Sequence, residues 1–247
     1  MGMNAWGLTD KGVARAQNQD AFYLHVIHED DQAILTVCDG MGGARAGDVA
    51  AKLALDTFVG ELGRVLKPKM DAKALRPLLA DAAARANEAV FAKAESGGGA
   101  YAGMGTTLVG AVVSGYEVVI ANVGDSRAYR INPLGISRVT RDHSLVEDLL
   151  TMGDLTVQEA RSHPSKNLIT RALGTDVRVD CDLYSFTMGP GEYLLLCSDG
   201  LTNVVEDQEI LYEVLNGGEP ATSCIQLKEL ACVRGGPDNI TIVLVAL

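Results

Sequence analysis

One stretch constrains this chain more than any other. Ala33-Ile34-Leu35-Thr36-Val37 is an unbroken apolar run that reads as a buried strand, and it leads directly into Cys38-Asp39-Gly40-Met41-Gly42-Gly43. A carboxylate at the mouth of a buried strand loses bulk water and needs a compensating charge. Far downstream the pattern returns as Tyr193-Leu194-Leu195-Leu196-Cys197-Ser198-Asp199-Gly200. One isolated Asp-Gly after a strand is an ordinary turn, because Asp bonds local backbone and Gly supplies positive φ. Two such strand ends placed side by side find their missing charge in a shared cation.

The 247 residues, 47% of them apolar, are enough for one large core. With 21 Lys+Arg against 32 Asp+Glu the formal charge is −11, which argues against nucleic acid or an anionic membrane as partner. It leaves room for a site made locally positive by bound metal. Met1 to Gly7 lacks the basic start and apolar core of a signal peptide, and Trp6 breaks the myristoylation pattern that Gly2 would open. No apolar run approaches the ~20 residues of a membrane span. Five cysteines without a Cys-x-x-Cys fit a reducing compartment, so a cytoplasmic protein is expected.

A first strand and turn are expected over Asn4 to Gly12 and strands at Ala21 to Ile27 and Ala33 to Val37, with the acidic loop His28-Glu29-Asp30-Asp31 between the last two. His25 and His28 lack further ligands at zinc spacing. Leu55, Phe58, Val59, Leu62, Val65 and Leu66 mark one face of a first long helix. Asp71 caps a second, with Leu75, Leu78, Leu79, Ala82, Ala86 and Val90 as its buried stripe, ending at Ser96-Gly97-Gly98-Gly99. Thr106 to Val113 and Glu117 to Val123 read as a hairpin; Gly124-Asp125-Ser126-Arg127 interrupts before Ala128 to Ile131, as a bulge that can re-aim a side chain. From Arg141-Asp142-His143-Ser144 to about Gly174 the chain makes a polar excursion, with Ser144 and Thr156 as helix caps and His143 and His163 as solvated or capping residues before acid–base candidates. Strands at Val177 to Phe186, Leu194 to Leu196 and Ile240 to Val245, with helices at Asp207 to Leu215 and Pro220 to Val233, complete an α+β pattern of antiparallel sheets covered by segregated helices.

Asp20, Asp39, Asp125, Asp199 and Asp238 share one grammar, each sitting where a strand meets a glycine or a polar turn. Crowded carboxylates raise one another's pKa unless a cation intervenes. An all-carboxylate set suits Mg²⁺ or Mn²⁺ rather than zinc, and two such ions sharing a carboxylate can activate a water for attack on phosphorus.

These residues carry a resemblance. Arg15 with Asn18-Gln19-Asp20, Val37 to Gly43, Gly105-Thr106-Thr107, Asn122 to Arg127, Arg141 to Ser144, Thr170-Arg171-Ala172-Leu173-Gly174, Cys197 to Leu201 and Gly236-Pro237-Asp238-Asn239-Ile240-Thr241 occur in the order found in metal-dependent protein phosphatases of the PPM (type 2C) family, of the small free-standing bacterial kind. The chain resembles that family over its whole length. The resemblance implies one domain over residues 1–247, an α-β-β-α sandwich of two antiparallel sheets flanked by helix pairs, with a mobile flap over about 144–173. It implies a serine/threonine phosphatase that uses a metal-bridging hydroxide on phosphoserine or phosphothreonine. Asp39 would bridge two Mn²⁺ or Mg²⁺ ions helped by the Gly40 carbonyl, with Asp199 and Asp238 completing the first site and Asp20 supporting the second. Asp125 with Asp199 would serve a third, weaker ion, and Arg15 would hold the substrate phosphate by a charge-assisted fork. Phosphorylated proteins, among them a Ser/Thr kinase of the same cell, are the implied partners, and a monomer is expected.

Two departures stand out. Met41 occupies the position where some eukaryotic members place a His as proposed general acid, and Asn203 stands where some members have an Asp that supports the third ion. A non-catalytic regulatory module of the same fold and a two-metal phosphodiesterase remain as rival readings.

Overall fold

The computed structural model describes residues 2–27, 31–43, 46–96 and 98–247. His28, Glu29 and Asp30 of the acidic loop and Gly97 of the glycine turn lie outside the described residues, and with them any pairing of His25 with His28.

Two antiparallel sheets lie face to face. The first runs in the order β1 (Asn4–Asp10), β11 (Ile240–Ala246), β10 (Tyr193–Cys197), β7 (Arg127–Asn132) and β8 (Gly135–Arg138). The second runs β2 (Asp20–Ile27), β3 (Gln32–Met41), β5 (Leu108–Ser114), β6 (Glu117–Val123) and β9 (Asp182–Thr187), with the two-residue β4 (Gly105–Thr106) on the end of β3. Alternate residues of the central strands fill three separate cores. Leu35, Val37, Val109 and Ala111 meet Leu194, Leu196, Val243 and Val245 between the sheets. Ile34 and Cys38 instead face α1 (Ala46–Val65) and α2 (Ala72–Ser96) on the outside of the second sheet. Leu195, Ile242 and Leu244 face α5 (Asp199–Thr202), α6 (Asp207–Asn216) and α7 (Pro220–Val233) on the outside of the first. Covering both faces of each sheet is why these strands read as unbroken apolar runs. The result is the expected α-β-β-α sandwich.

Caps set the helix starts. Asp71 accepts the Ala74 N–H at 2.8 Å at the head of α2. Between β8 and β9 the chain leaves the sheets for α3 (Leu145–Met152) and α4 (Val157–Ser162); Ser144 accepts from the Glu147 amide, and Thr156 with Glu159 closes a capping box.

Three elements differ from the sequence pattern. β3 does not end at Val37 but runs on to Met41, because Gly40 and Met41 pair with Thr106 and Gly105 of β4. β9 starts at Asp182 rather than Val177, because its partner β6 offers its last paired residue, Asn122, to Asp182. Asp199 opens the four-residue helix α5 instead of a simple turn.

Candidate active site

The acids converge because strand register places them. Asp20, the first residue of β2, lies opposite Asp39 of β3. In the facing sheet Cys197, the last residue of β10, pairs with Ile242 of β11, so Asp199 just after one strand and Asp238 just before the other share an end. Hydroxyls join the two sheets there. Asp20 Oδ2 accepts from Ser198 Oγ at 2.8 Å and from Thr241 Oγ1 at 2.6 Å. Thr9 Oγ1 lies 2.7 Å behind Thr241 and takes the Asn18 amide at 2.8 Å, so the bonding runs Asn18 to Thr9 to Thr241 to Asp20.

Asp39 is fixed through its backbone: its N–H donates to Thr107 Oγ1 at 2.9 Å, and its carbonyl accepts from Thr107 N–H and Thr106 Oγ1, both at 2.9 Å. Gly40 has no room for a side chain, since a Cβ would stand 2.1 Å from the Gly47 carbonyl oxygen. Asp199 Oδ2 accepts from the Asn203 side-chain amide at 2.8 Å. Asn203 therefore orients Asp199 as a donor and adds no charge. Asp238 takes Arg15 Nη2 at 2.7 Å, with Asp238 Oδ1 held by the Asn239 amide. Arg15 reaches it because the Val13 and Ala14 amides both bond the Gly236 carbonyl. Asn239 organises the same loop by donating to the Lys11 and Gln17 carbonyls and accepting from the Gln19 amide. Asp125 stands in the β6–β7 turn, behind Gly124 at φ +104°.

Electrostatics make this array unstable by itself. Burial pushes the Asp20 carboxyl up to about 7 and Asp125 up to about 8, and Asp199 adds to both by its charge. Asp39 rises well above the ordinary carboxylate range through burial, then the charges of Asp20, Asp199, Asp125 and Asp238. Asp199 is raised by burial and the charge of Asp238, against the Asn203 side-chain hydrogen bond that lowers it. Two buried carboxylate oxygens, Asp20 Oδ1 and Asp199 Oδ1, have no hydrogen-bond partner among the described residues. Such atoms are costly unless something else engages them.

A hard divalent cation fits these donors: it takes only oxygen ligands, satisfies orphaned carboxylate oxygens and lets neighbouring acids ionise together. Among the described residues no group of three or more His, Cys, Asp or Glu is placed to hold a metal ion as it stands, so the carboxylates would have to draw together around one; ions such as Mg²⁺ need few carboxylates and keep several waters. Asp238 and Asp199, now turned to Arg15 and Asn203, would have to share or release those partners.

Cys38 and Cys197 are fully buried, and burial drives both thiols far up in pKa, so neither is a nucleophile. His143 is buried and its pKa is lowered, chiefly by desolvation; His163 accepts the Ser165 amide in a local turn. Met41, at the end of β3, offers no proton. From Asp125 and Asp199 a cleft of about 940 Å³ opens past Val146 and Leu150 of α3 toward Val204 and Asp207.

A profile of the protein phosphatase 2C family matches residues 13–229. The chain belongs to the protein phosphatase 2C family. It is 39% identical over 246 residues to serine/threonine phosphatase stp of Listeria monocytogenes, covering 98% of this chain and 95% of that protein. Protein phosphatase PhpP of Streptococcus pneumoniae is 36% identical over 242 residues, covering 97% and 96%. Among solved structures, serine/threonine phosphatase Stp1 from Staphylococcus aureus superposes with a TM-score of 0.92 at 38% identity, covering 100% of this chain and 96% of that one. The catalytic domain of the phosphatase PstP, in complex with two manganese ions, gives 0.85 at 32% identity, covering 99% and 97%. Type 2C membership makes Mn²⁺ or Mg²⁺ dependence a property of this chain.

The structure brings together all the acids singled out in the sequence, with Arg15 and Gly40 beside them. Ser198, Thr241, Asn239 and Thr107 hold the acids; the sequence places them within motifs but assigns them no role, their local signal being a polar residue inside or beside an apolar run, as in Cys197-Ser198-Asp199 and Ile240-Thr241-Ile242.

Proposed function

We propose that this chain is a metal-dependent protein serine/threonine phosphatase acting on phosphoserine and phosphothreonine. The observation that carries the reading is the pair of orphaned buried oxygens, Asp20 Oδ1 and Asp199 Oδ1, inside a set of mutually repelling carboxylates at adjoining sheet ends. Asp39, the Gly40 carbonyl, Asp199 and Asp238 would hold two ions, with Asp20 supporting one of them and Asp125 with Asp199 serving a third, weaker one. When bound, Mn²⁺ or Mg²⁺ supplies Lewis acidity: compensation for the ionised carboxylates and activation of a water for in-line attack on phosphorus.

The remaining work falls to side chains. Arg15, exposed at the rim and held by Asp238, aims a guanidinium fork at the incoming phosphate. Ser198, Thr241 and Asn203 keep Asp20 and Asp199 in place while charge shifts during the reaction. With both nearby thiols buried, phosphate goes directly to water without a covalent enzyme intermediate. Met41 cannot protonate the leaving serine or threonine oxygen, so that proton must come from water in the site or from another group.

Residues 1–247 would act as one catalytic domain, monomeric and cytoplasmic, with 144–173 as a flap beside the cleft. No helix among the described residues is long and apolar enough to cross a membrane. A phosphorylated Ser/Thr kinase of the same cell is one expected substrate. The test is hydrolysis of a phosphothreonine peptide and of a phosphodiester with Mn²⁺, with Mg²⁺ and with excess chelator. Metal-dependent release of phosphate from the peptide alone supports the reading. Preferred diester cleavage would favour the phosphodiesterase, and Mn²⁺ binding without turnover the regulatory module.

A further inference from the structure

We propose that His143 is a positioning residue for Asp125, locking the turn that carries this carboxylate to both roots of the 144–173 excursion. The inference rests on the assignment of Asp125 as a cation ligand made above. His143 brackets Gly124, the residue before Asp125, from two sides. Its ring Nδ1 accepts the Gly124 N–H at 3.1 Å, and its own N–H donates to the Gly124 carbonyl at 3.0 Å. Because Nδ1 accepts, the hydrogen-bond network assigns the ring proton to Nε2, which lies 3.2 Å from Asp182 Oδ2. Arg171 Nη1 holds the other oxygen of Asp182 at 3.1 Å, and the Thr170 N–H donates to the His143 carbonyl at 2.8 Å. One buried residue thus joins the Asp125 turn, strand β9 and the far root of the excursion, while its neighbour Ser144 caps α3 at the near root.

The grip is doubled at the other end of the turn. Arg127, two residues after Asp125, makes a bidentate pair with Asp142, Nη2 donating to Oδ2 at 2.6 Å and Nε to Oδ1 at 3.0 Å. Ser126 Oγ lies 2.7 Å from Thr107 Oγ1, the same oxygen that receives the Asp39 N–H. The Asp125 turn is therefore fastened to the backbone of Asp39 and, through residues 142 and 143, to the start of the excursion. A histidine that merely filled the core would not supply the acceptor for the amide next to the ligand.

Two amide substitutions separate these roles. In His143→Asn the side-chain oxygen can take the place of Nδ1 and still accept the Gly124 N–H. In His143→Gln the amide nitrogen can replace Nε2 toward Asp182, and the Gly124 N–H is abandoned. Calorimetric titration with Mn²⁺ should show the weakest site weakened by about 10–100-fold in His143→Gln and within about threefold of wild type in His143→Asn, in line with residues that orient metal ligands. Asp125→Asn, titrated alongside, should weaken that same site. An unchanged weakest site in His143→Gln, when Asp125→Asn does weaken it, overturns the role of His143. No change in Asp125→Asn overturns the ligand assignment itself. Equal weakening in His143→Asn and His143→Gln, with equal loss of thermal stability, reduces His143 to a core residue and overturns the inference. Should His143→Gln not fold, His143→Leu carries the test, since it keeps much of the ring's bulk and removes the acceptor for the Gly124 N–H; an unchanged weakest site there also overturns it.

Discussion

At the scale of single residues the site divides into groups that meet the substrate and groups that hold them. Arg15 is proposed for the first kind: its side chain is 53% exposed, and its 2.7 Å pair with Asp238 contributes little to stability at that exposure. Arg15→Ala should therefore leave the melting temperature almost unchanged and raise KM for a phosphothreonine peptide about 10–100-fold, the loss expected for a charge-assisted contact. Steady-state kinetics checks this, and an unchanged KM would remove Arg15 from the phosphate site. The aspartates were legible in the sequence because each breaks an apolar pattern beside a glycine or a polar turn. Their hydroxyl partners were not, because Ser198 and Thr241 reach Asp20 from 178 and 221 residues away, and no local pattern reports such a meeting.

At the scale of elements, the short helix α5 decides where Asp199 points, and Gly200 decides where α5 can lie. A Cβ at Gly200 would fall 1.9 Å from the Asn239 carbonyl oxygen, a backbone atom that cannot swing aside. Gly200→Ala should cost about 1–3 kcal/mol of stability, as overpacking does, and should weaken Mn²⁺ binding by moving Asp199 and Asp238 apart. Urea unfolding with parallel Mn²⁺ titration reads both, and wild-type values for both would contradict the packing described. The long helices, the hairpin and the capped pieces after Ser144 and Thr156 were legible because periodicity and capping are local. α5 is too short to show a period, and the extension of β3 to Met41 depends on pairing with Gly105 and Thr106, more than sixty residues on.

At the scale of the whole molecule, the fold keeps a costly cluster of acids buried at the joint of two sheets. Asp20, Asp39, Asp125 and Asp199 all have carboxyls raised above the ordinary 3.8, Asp20 to about 7 and Asp125 to about 8. Between those values and 3.8 the folded, cation-free protein binds more protons than the unfolded chain, so these groups make stability fall as pH rises from about 4 toward about 8. Cations bind the ionised forms and remove the repulsion, so their stabilisation should grow over the same window, reaching ~2.7 kcal/mol at a hundredfold excess over Kd. Scanning calorimetry at pH 5.5 and pH 8, in Mn²⁺ and in chelator, should show the wider melting gap at pH 8; equal gaps would contradict the buried-acid picture. The α+β class was legible from strand runs and segregated helices, and the sandwich from the family resemblance. The sheet order was not, because β1 beside β11 and β10 beside β7 join distant parts of the chain.

The central claim is that the acids around Asp39 hold the ions that make this chain a phosphatase. Turnover of a phosphothreonine peptide by Asp39→Asn beside wild type at saturating Mn²⁺, with circular dichroism to verify the fold, tests it most directly. A folded variant whose kcat/KM falls by more than about 100-fold is expected, since even residues that only support metal ligands cost 10–100-fold. Near-wild-type, Mn²⁺-dependent turnover in that variant would place the chemistry elsewhere in the molecule.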